Sequence, residues 1–385
     1  MRTTTYQTKI LIVAAFCVMI AGCGNKTIIS SDTYRGDEKS FTKFKDDNGK
    51  ADWPDPEKIA YYDPEGTDAK VIRYAHWAPP PGNKKGVVVH FNGRTEFIEK
   101  NIYTYKDLLD RGYEVWALDW RGQGFSQRQL KEKQKHSIDT FDTYVKDAAY
   151  FTDNVTNTKT INGKKVLLAH SMGGQIALRY LLKYPDTFDY AVLSSPLLGL
   201  PGYAWYIEAG NWLKRKTFFA DSCVMSKPST WSDNFEDGNP CSYVNKEIEE
   251  DDLDKDQKTE NYSHDLNKVA EIDCLIASSF DAYGKENPDL RVACPTTRWL
   301  YEANKSTKTV MENAKELGTP VLIVRAKEDK AVNPDAQDEF CNKTDKCELK
   351  SIPENGEPET GHELLVETEE IREKFFEYFD EFVSK

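Results

Sequence analysis

A serine near the middle of the chain lies in a pattern that exposes a nucleophile. Residues 169–174 (AHSMGG) follow the apolar run 166–168 and precede a helical pattern at 175–184. A strand, a sharp turn and a helix in this order are typical of a nucleophile elbow, in which small residues flank the serine of G-x-S-x-G because the backbone is strained. Ala169 replaces the first glycine. We predict that Ser171 is the nucleophile; the alternative is a serine in an ordinary turn.

A serine hydroxyl is a weak nucleophile at neutral pH and needs an adjacent base. His362 is the last histidine in the chain, and it lies between the last candidate strand and the final helical pattern, so we predict that it is the base. His90 and His170 are competitors. His170 adjoins the serine, but neighbouring side chains on a tight turn diverge, which makes it a poor base. His76 and His264 have no motif around them.

The surrounding pattern indicates the elements that must position these residues. From about residue 71, short apolar runs alternate with amphipathic segments, which predicts an α/β fold with a mainly parallel sheet and flanking helices. Apolar residues at helical spacing within 141–155 and 371–382 predict two helices that pack on the core. Candidate strands occupy residues 87–90, 113–118, 166–169, 190–193, 321–324 and 348–352.

The alternation is interrupted over residues 197–317, which we interpret as a cap (lid) inserted between two strands of one sheet. The cap divides the core into residues 70–196 and 318–385. Within it, aromatic residues are mixed with lysine and arginine at 203–219, a combination that suits a membrane–water boundary. The alternative is that these aromatic residues pack the cap onto the core.

The overall composition is globular and disfavours nucleic acid as a partner. The chain has 385 residues, of which 39% are hydrophobic and 30% charged, and this length suits one large domain with an insertion. Its net charge of -13 is acidic, whereas a nucleic-acid interface needs basic residues against the phosphates. A membrane partner stays open, because local patches can oppose the net sign.

Residues 1–22 predict export. Basic residues flank a polar start, and the apolar run 10–20 is too short to cross about 30 Å of hydrocarbon, which takes about 20 residues. Such a segment is typical of a secretory signal. Residues 20–23 (IAGC) resemble the lipobox of bacterial lipoproteins, which implies cleavage before Cys23 and a lipid on that cysteine.

Residues 23–69 then form a polar tether and a lead-in to the fold. Gly24 is not the aspartate that retains lipoproteins at the inner membrane. We therefore expect an exported, membrane-anchored lipoprotein of a bacterial periplasm, held at the outer membrane. The alternative is an ordinary secretory signal that happens to be followed by a cysteine.

The remaining cysteines agree with export. Of eight cysteines, Cys17 lies in the signal and Cys23 is the lipidation candidate, and the remaining even set of six in an exported chain indicates disulfides. No CxxC spacing occurs, and the histidines form no metal-like cluster with these cysteines, so we predict no metal site. Short separations favour pairing in sequence order: Cys223–Cys241, Cys274–Cys294 and Cys341–Cys347.

Two further loops follow candidate strands and complete a family pattern. Residues 92–96 (NGRTE) follow the first strand, and residues 119–126 (DWRGQGFS) follow the second; we expect Asp119 and Arg121 to pair structurally. With residues 169–174, these loops resemble the monoglyceride-lipase and lysophospholipase branch of the serine α/β-hydrolases. The first loop and the ending GHEL look most like the bacterial lysophospholipases. The resemblance covers about 70–200 and 285–385.

The resemblance implies roles for further residues. The backbone N–H groups of Arg94 and Met172 form the oxyanion hole, although the family's histidine-glycine start is Asn92-Gly93 here. Asp329 is implied as the triad acid, because the family has a glycine, two residues, an acid and then a valine at this place; this chain has Ala326 for the glycine. Glu328 is the alternative acid.

Together these residues predict an α/β-hydrolase with a triad of Ser171, Asp329 and His362 and no cofactor. By resemblance, the substrate is a carboxylic ester of a monoacyl lipid, either a lysophospholipid or a monoacylglycerol. Two alternatives stay open. One is an esterase, amidase or aminopeptidase-like hydrolase of small soluble substrates, and the other is a non-catalytic lipoprotein that binds lipid in the same cleft.

Overall fold

The computed structural model describes residues 56–65, 71–82, 84–200, 220–224, 292, 294–327, 329–353 and 360–385. The export signal, Cys23 and its tether lie outside the described residues. The aromatic stretch 203–219, Cys241, Cys274, His264 and Glu328 also lie outside them.

The described ranges contain ten strands, six of which cover the candidate strands of the sequence. In chain order they are β1 (Lys58–Tyr62), β2 (Ile72–Trp77), β3 (Gly86–Phe91), β4 (Tyr113–Leu118), β5 (Lys135–His136), β6 (Lys164–His170), β7 (Tyr190–Ser194), β8 (Cys294–Pro295), β9 (Val321–Ala326) and β10 (Cys347–Ile352).

Eight of these strands form one sheet in the order β1-β2-β4-β3-β6-β7-β9-β10. β2 is antiparallel to both of its neighbours, and the other adjacent strands are parallel. β5 and β8 pair separately in parallel. Every residue of β3 and β4 is buried, as expected for parallel strands that are covered on both faces. The predicted α/β fold with a mainly parallel sheet is confirmed.

Helices cover both faces of this sheet. They are α1 (Ile102–Asp110), α2 (Phe141–Tyr150), α3 (Met172–Lys183), α4 (Thr297–Glu312), α5 (Pro334–Cys341) and α6 (Glu369–Val383). α2 continues into a π-helical turn, Phe151–Val155, so the first predicted helical stripe spans both elements. No helix of the described residues is long and apolar enough to span a membrane.

Two apolar clusters, one on each side of the sheet, hold these helices. One contains Tyr144 of α2, Ile176 of α3 and Trp299 of α4. The other contains Leu108 of α1 and Phe375 of α6. Burial of a large apolar side chain contributes about 1.5–3 kcal/mol to folding, so the two clusters fix the sheet from which the loops emerge.

Two of the three predicted disulfide pairings are wrong. Cys223 is bonded to Cys294, 71 residues away, whereas Cys341–Cys347 is bonded as predicted. The backbones of Cys223 and Thr296 form an isolated antiparallel β-bridge, and the N–H of Val224 donates to the carbonyl of Pro295. Pairing of the two backbones therefore brings distant cysteines together. Since the entropy of loop closure grows only slowly with loop length, short separation is a poor guide to the partner.

The expected pairing of Asp119 with Arg121 is also wrong. Arg73 of β2 lies 3.2 Å from Asp119 and 2.6 Å from Glu99, and all three side chains are buried. Arg121 instead pairs with Asp147 of α2, at 2.7 Å. A fully buried guanidinium must be matched by carboxylates, and Asp119 at the end of the adjacent strand β4 supplies one of the two.

Candidate active site

Ser171 forms the turn between β6 and α3. Its backbone has φ +49° and ψ −117°, in the region that favours glycine, and such strain costs about 1–3 kcal/mol. Neighbouring backbone holds the turn: the Ser171 N–H donates to the carbonyl of Ser194 at 3.0 Å, and the Leu197 N–H donates to the carbonyl of Ser171 at 2.9 Å. The side chain is only partly buried. The strain therefore presents the hydroxyl at the carboxyl end of β6.

Close packing explains the small residues around this serine. A Cβ on Gly173 would lie 2.0 Å from the carbonyl oxygen of Phe91, and a Cβ on Gly174 would lie 2.6 Å from Cβ of Pro196. Ala169, by contrast, is a fully buried member of the apolar cluster beside α2 and α3. The core accommodates the methyl group that replaces the first glycine of the motif.

Asp329 and His362 meet at the same edge of the sheet. Asp329 follows β9 and His362 follows β10, two parallel neighbours, and Oδ2 of the aspartate is 2.6 Å from Nδ1 of the histidine. The N–H groups of Ala331 and Val332 donate to Oδ1 at 2.8 and 3.0 Å. Burial opposes ionisation of Asp329, but His362 and these N–H groups outweigh it and lower its pKa below 3.8. This arrangement directs Nε2 of His362 to accept a proton.

The two predicted oxyanion donors belong to segments that emerge at the same edge of the sheet as the serine. Met172 is the first residue of α3, so its N–H has no partner within the helix. Arg94 lies in the loop after β3, and β3 pairs directly with β6, so this loop and the elbow emerge at one edge. Asn92, in place of the family's histidine, is buried and donates to the carbonyl of Leu118 at 2.9 Å. Its side chain ties the loop to β4.

The competing histidines have other partners. His90 is fully buried against Tyr105, with Nδ1 and the hydroxyl 3.2 Å apart, and burial lowers its pKa to about 4 although Glu96 opposes the shift. His76 contacts Glu114 at 2.9 Å and stacks on Trp116. Both histidines are held in the sheet by neighbouring side chains, whereas His362 contacts the predicted acid.

Sequence reasoning missed a set of polar side chains that brace the oxyanion loop. Gln123 donates to the carbonyls of Gly93 and Glu96 at 2.7 and 3.0 Å and accepts from the N–H of Thr95 at 3.3 Å. Glu96 pairs with His170. The signal present in the sequence was that Glu96, Gln123 and His170 lie in motifs that directly follow candidate buried strands, where a polar side chain needs a partner.

An eight-stranded sheet of this order, with a strained serine and an aspartate–histidine pair at its carboxyl edge, defines an α/β-hydrolase. The family described as Hydrolase_4, serine aminopeptidase S33, matches residues 82–272 and 277–369, more than half of the chain. The protein belongs to this family.

Known proteins of the same branch resemble the chain over most of its length. It is 25% identical to lysophospholipase L2 of Escherichia coli, covering 80% of this chain and 82% of that protein. It is 26% identical to a probable lysophospholipase L2 of Haemophilus influenzae, covering 68% and 74%. A crystal structure of a Saccharomyces cerevisiae monoglyceride lipase matches 85% of this chain and 94% of that one, with a TM-score of 0.58 and 17% identity, which shows a shared fold.

Proposed function

We propose that the protein is a serine carboxylic-ester hydrolase that cleaves monoacyl lipids, either lysophospholipids or monoacylglycerols, through an acyl-enzyme. One observation carries the chemistry: a strained, partly exposed Ser171 lies at the sheet edge where Asp329 and His362 form a 2.6 Å contact. A buried carboxylate that holds a histidine at such an edge is what activation of a serine requires.

The proposed mechanism uses the same groups in both half-reactions. His362 takes the proton of the Ser171 hydroxyl as Oγ attacks the ester carbonyl, while Asp329 stabilises the resulting imidazolium. The N–H groups of Arg94 and Met172 meet the oxyanion, and loss of one such donor costs about 2.7–4 kcal/mol of barrier. His362 then protonates the leaving alcohol. In the second half-reaction His362 takes a proton from a water molecule as the water oxygen attacks the acyl carbon, and it returns the proton to Oγ of Ser171 as the fatty acid leaves.

The relatives support lipid as the substrate class. Two proteins named lysophospholipase L2, from Escherichia coli and Haemophilus influenzae, match most of the chain. A lysophospholipid and a monoacylglycerol both present one acyl ester beside a polar group, so one catalytic edge serves either substrate. The aromatic stretch 203–219, which is outside the described residues, is proposed to form the acyl entrance.

We also propose that the mature chain begins at a lipidated Cys23. A lipid there would hold the enzyme at the bilayer in which its substrates lie, and two acyl chains anchor a protein far more firmly than one. Mass spectrometry of membrane-extracted protein should detect acyl chains on Cys23. A Cys23→Ser variant that stays equally bound to membranes would refute the anchor.

The family description favours a second candidate, an amidase or aminopeptidase-like activity on small soluble substrates. The same acyl-enzyme chemistry cleaves an amide when His362 protonates the leaving amine. The two candidates therefore differ in the pocket that receives the substrate and not in the triad.

A substrate panel tests both candidates. Lysophosphatidylcholine, a long-chain monoacylglycerol, a short-chain chromogenic ester and an aminoacyl anilide would be compared on the wild type and on Ser171→Ala. We expect the two lipids to give the highest kcat/KM, and Ser171→Ala to be inactive and unlabelled by a fluorophosphonate. Preference for the anilide would favour the second candidate. Absence of both turnover and labelling in the wild type would support a non-catalytic lipid-binding lipoprotein.

A further inference from the structure

A buried ion pair, which the proposed chemistry does not use, adjoins the catalytic edge. Glu96 lies in the loop after β3, and His170 immediately precedes Ser171. Oε1 of the glutamate is 3.0 Å from Nδ1 of the histidine, and the side chains are only 2% and 3% exposed. Removing one partner of a buried pair leaves an uncompensated charge, so each partner constrains the segment that carries the other.

Both ring nitrogens of His170 face oxygen atoms that only accept hydrogen bonds. Nδ1 faces the Glu96 carboxylate, and Nε2 lies 3.3 Å from the backbone carbonyl oxygen of His362. The Nδ1 contact has an ion-pair distance of 3.0 Å but lacks hydrogen-bond geometry, so the charge of Glu96 is what favours a proton on both nitrogens and makes the ring a cation. Burial alone would lower the pKa of His170, but the charge of Glu96 outweighs burial and raises it above 6.5.

The other end of the pair reaches the oxyanion loop. Oε2 of Glu96 accepts the N–H of Gly93 at 2.5 Å, and Gly93 immediately precedes Arg94. A continuous series of contacts thus runs from the loop that presents the Arg94 N–H, through the ion pair, to the backbone of His362. The rings of His170 and His362 also lie close together, with centroids 4.8 Å apart.

We propose that Glu96 and His170 are positioning residues that hold the Arg94 N–H and His362 in the relative placement that the tetrahedral intermediate requires. The inference rests on the proposed function, since it assigns a task within that mechanism. Glu96 lies in the loop after β3, and His170 contacts the backbone of His362 in the segment after β10. The pair therefore connects segments that follow two strands which are not neighbours in the sheet.

Other charged side chains also lie near His170, but none of them replaces Glu96 as its partner. Lys100 and Glu363 also face it, with opposite effects, but Lys100 donates to Glu363 at 2.5 Å and the two largely offset each other. His90 faces His170 as well, and the positive charge of His170 disfavours a second proton on His90. The described surroundings of His170 thus contain one carboxylate within direct contact.

The test is a double-variant cycle of Glu96→Gln, His170→Gln and the two combined, with kcat measured per fluorophosphonate-labelled site. A misplacement of about 1 Å at an active site costs about 10²-fold, so we expect each single variant to lose about 10- to 100-fold in kcat with little change in KM. The kcat of the double variant should be no lower than that of the less active single variant, because the two residues act as one unit.

The pH profile adds a readout that a merely structural role would not change. The raised pKa of His170 means that its cation, and the link that depends on it, is present below that pKa and lost as the pH rises through it. Wild-type kcat should therefore decline reversibly on the alkaline side while the protein stays folded. In His170→Gln this alkaline decline should be absent.

The matched control is Glu114→Gln, which breaks another largely buried pair, Glu114 of β4 with His76 of β2, outside these loops and the loop that braces them. It should lower the melting temperature but leave kcat per labelled site and the alkaline decline unchanged. Unchanged kcat and pH profile in both Glu96→Gln and His170→Gln, in an otherwise active enzyme, would overturn the inference. If those variants do not fold, a wild-type profile without a reversible alkaline decline would overturn it. Inactivity of the wild type itself would instead refute the proposed function.

Discussion

The proposed nucleophile and the proposed acid–base pair reach the same edge of the sheet, but different forces hold them there. Ser171 lies in a turn whose glycines touch neighbouring backbone, and a Cβ on Gly173 would lie 2.0 Å from the carbonyl of Phe91. Backbone hydrogen bonds to Ser194 and Leu197 hold the strained turn. On this side, the position of the reactive atom is set by close packing around β3, β6 and β7.

The acid–base side relies on charge. Asp329 and His362 follow β9 and β10, and their link is one 2.6 Å hydrogen bond supported by two N–H groups on the other carboxylate oxygen. Replacing oxygen by nitrogen here changes no volume but removes the charge. Changes of size should therefore damage the nucleophile side through stability, and changes of charge should damage the acid–base side through catalysis.

The largest expected effect is loss of the two reacting groups themselves. Ser171→Ala and His362→Ala should each lower kcat by about 10⁶-fold, because the triad acts as a unit. Ser171→Ala should melt near the wild-type temperature, whereas His362→Ala should melt lower, because it leaves the Asp329 carboxylate buried without its partner. Ester hydrolysis and thermal melting followed by circular dichroism measure the two quantities. Substantial activity in Ser171→Ala, with inhibitor bound at another residue, would contradict the assignment.

Asp329→Asn tests the charge on the acid–base side. It should lower kcat by about 10⁴-fold, because the amide favours the wrong tautomer of His362 and cannot stabilise the imidazolium. Glu328→Gln is the adjacent control, and it should retain most of the activity. The reverse ranking in a steady-state assay would assign the acid to Glu328.

Gly173→Ala tests the packing side. A methyl group so close to the carbonyl oxygen of Phe91 forces the backbone apart, and such overpacking costs about 1–3 kcal/mol. Urea unfolding should show this loss. Gly318→Ala is a matched control, since its Cβ would lie 3.3 Å from Cβ of Pro185 and should cost much less. Equal losses in the two variants would show that the elbow is looser than its contacts indicate.

Features that depend on neighbouring residues were predictable from sequence. Six strands of the main sheet match candidate runs to within two residues at each end, and most of them are mainly apolar, whereas β10 (CELKSI) is not. The strained turn at Ser171 was predictable because such a turn requires small neighbours, and Ala169, Gly173 and Gly174 lie beside the serine in the sequence. β1 and β2 were missed. In β2, Arg73 interrupts the apolar pattern, and it is buried because Glu99 and Asp119 neutralise it.

Features that depend on distant partners were not predictable in the same way. Cys223 pairs with Cys294 because the backbones meet at Thr296. Glu96 and His170 are 74 positions apart, and no local pattern marks them as partners. A charged residue in sequence signals only that it needs a partner if it is buried, and the fold decides which partner it meets.

The smallest expected effect separates the charge of Asp329 from its chemistry. Because its folded pKa lies below 3.8, its ionised form stabilises the native state above the unfolded pKa of about 3.9, and this contribution disappears as the pH falls through the folded value. The unfolding free energy of the wild type should exceed that of Asp329→Asn by a constant amount from pH 7 to about 5, and the gap should narrow below about 4. Urea unfolding at pH 7, 5 and 3.5 measures the gap, and titrating groups that do not contact Asp329 cancel because they are present in both proteins. A gap that stays constant down to pH 3.5 would mean that packing, and not charge, holds the acid–base side as well.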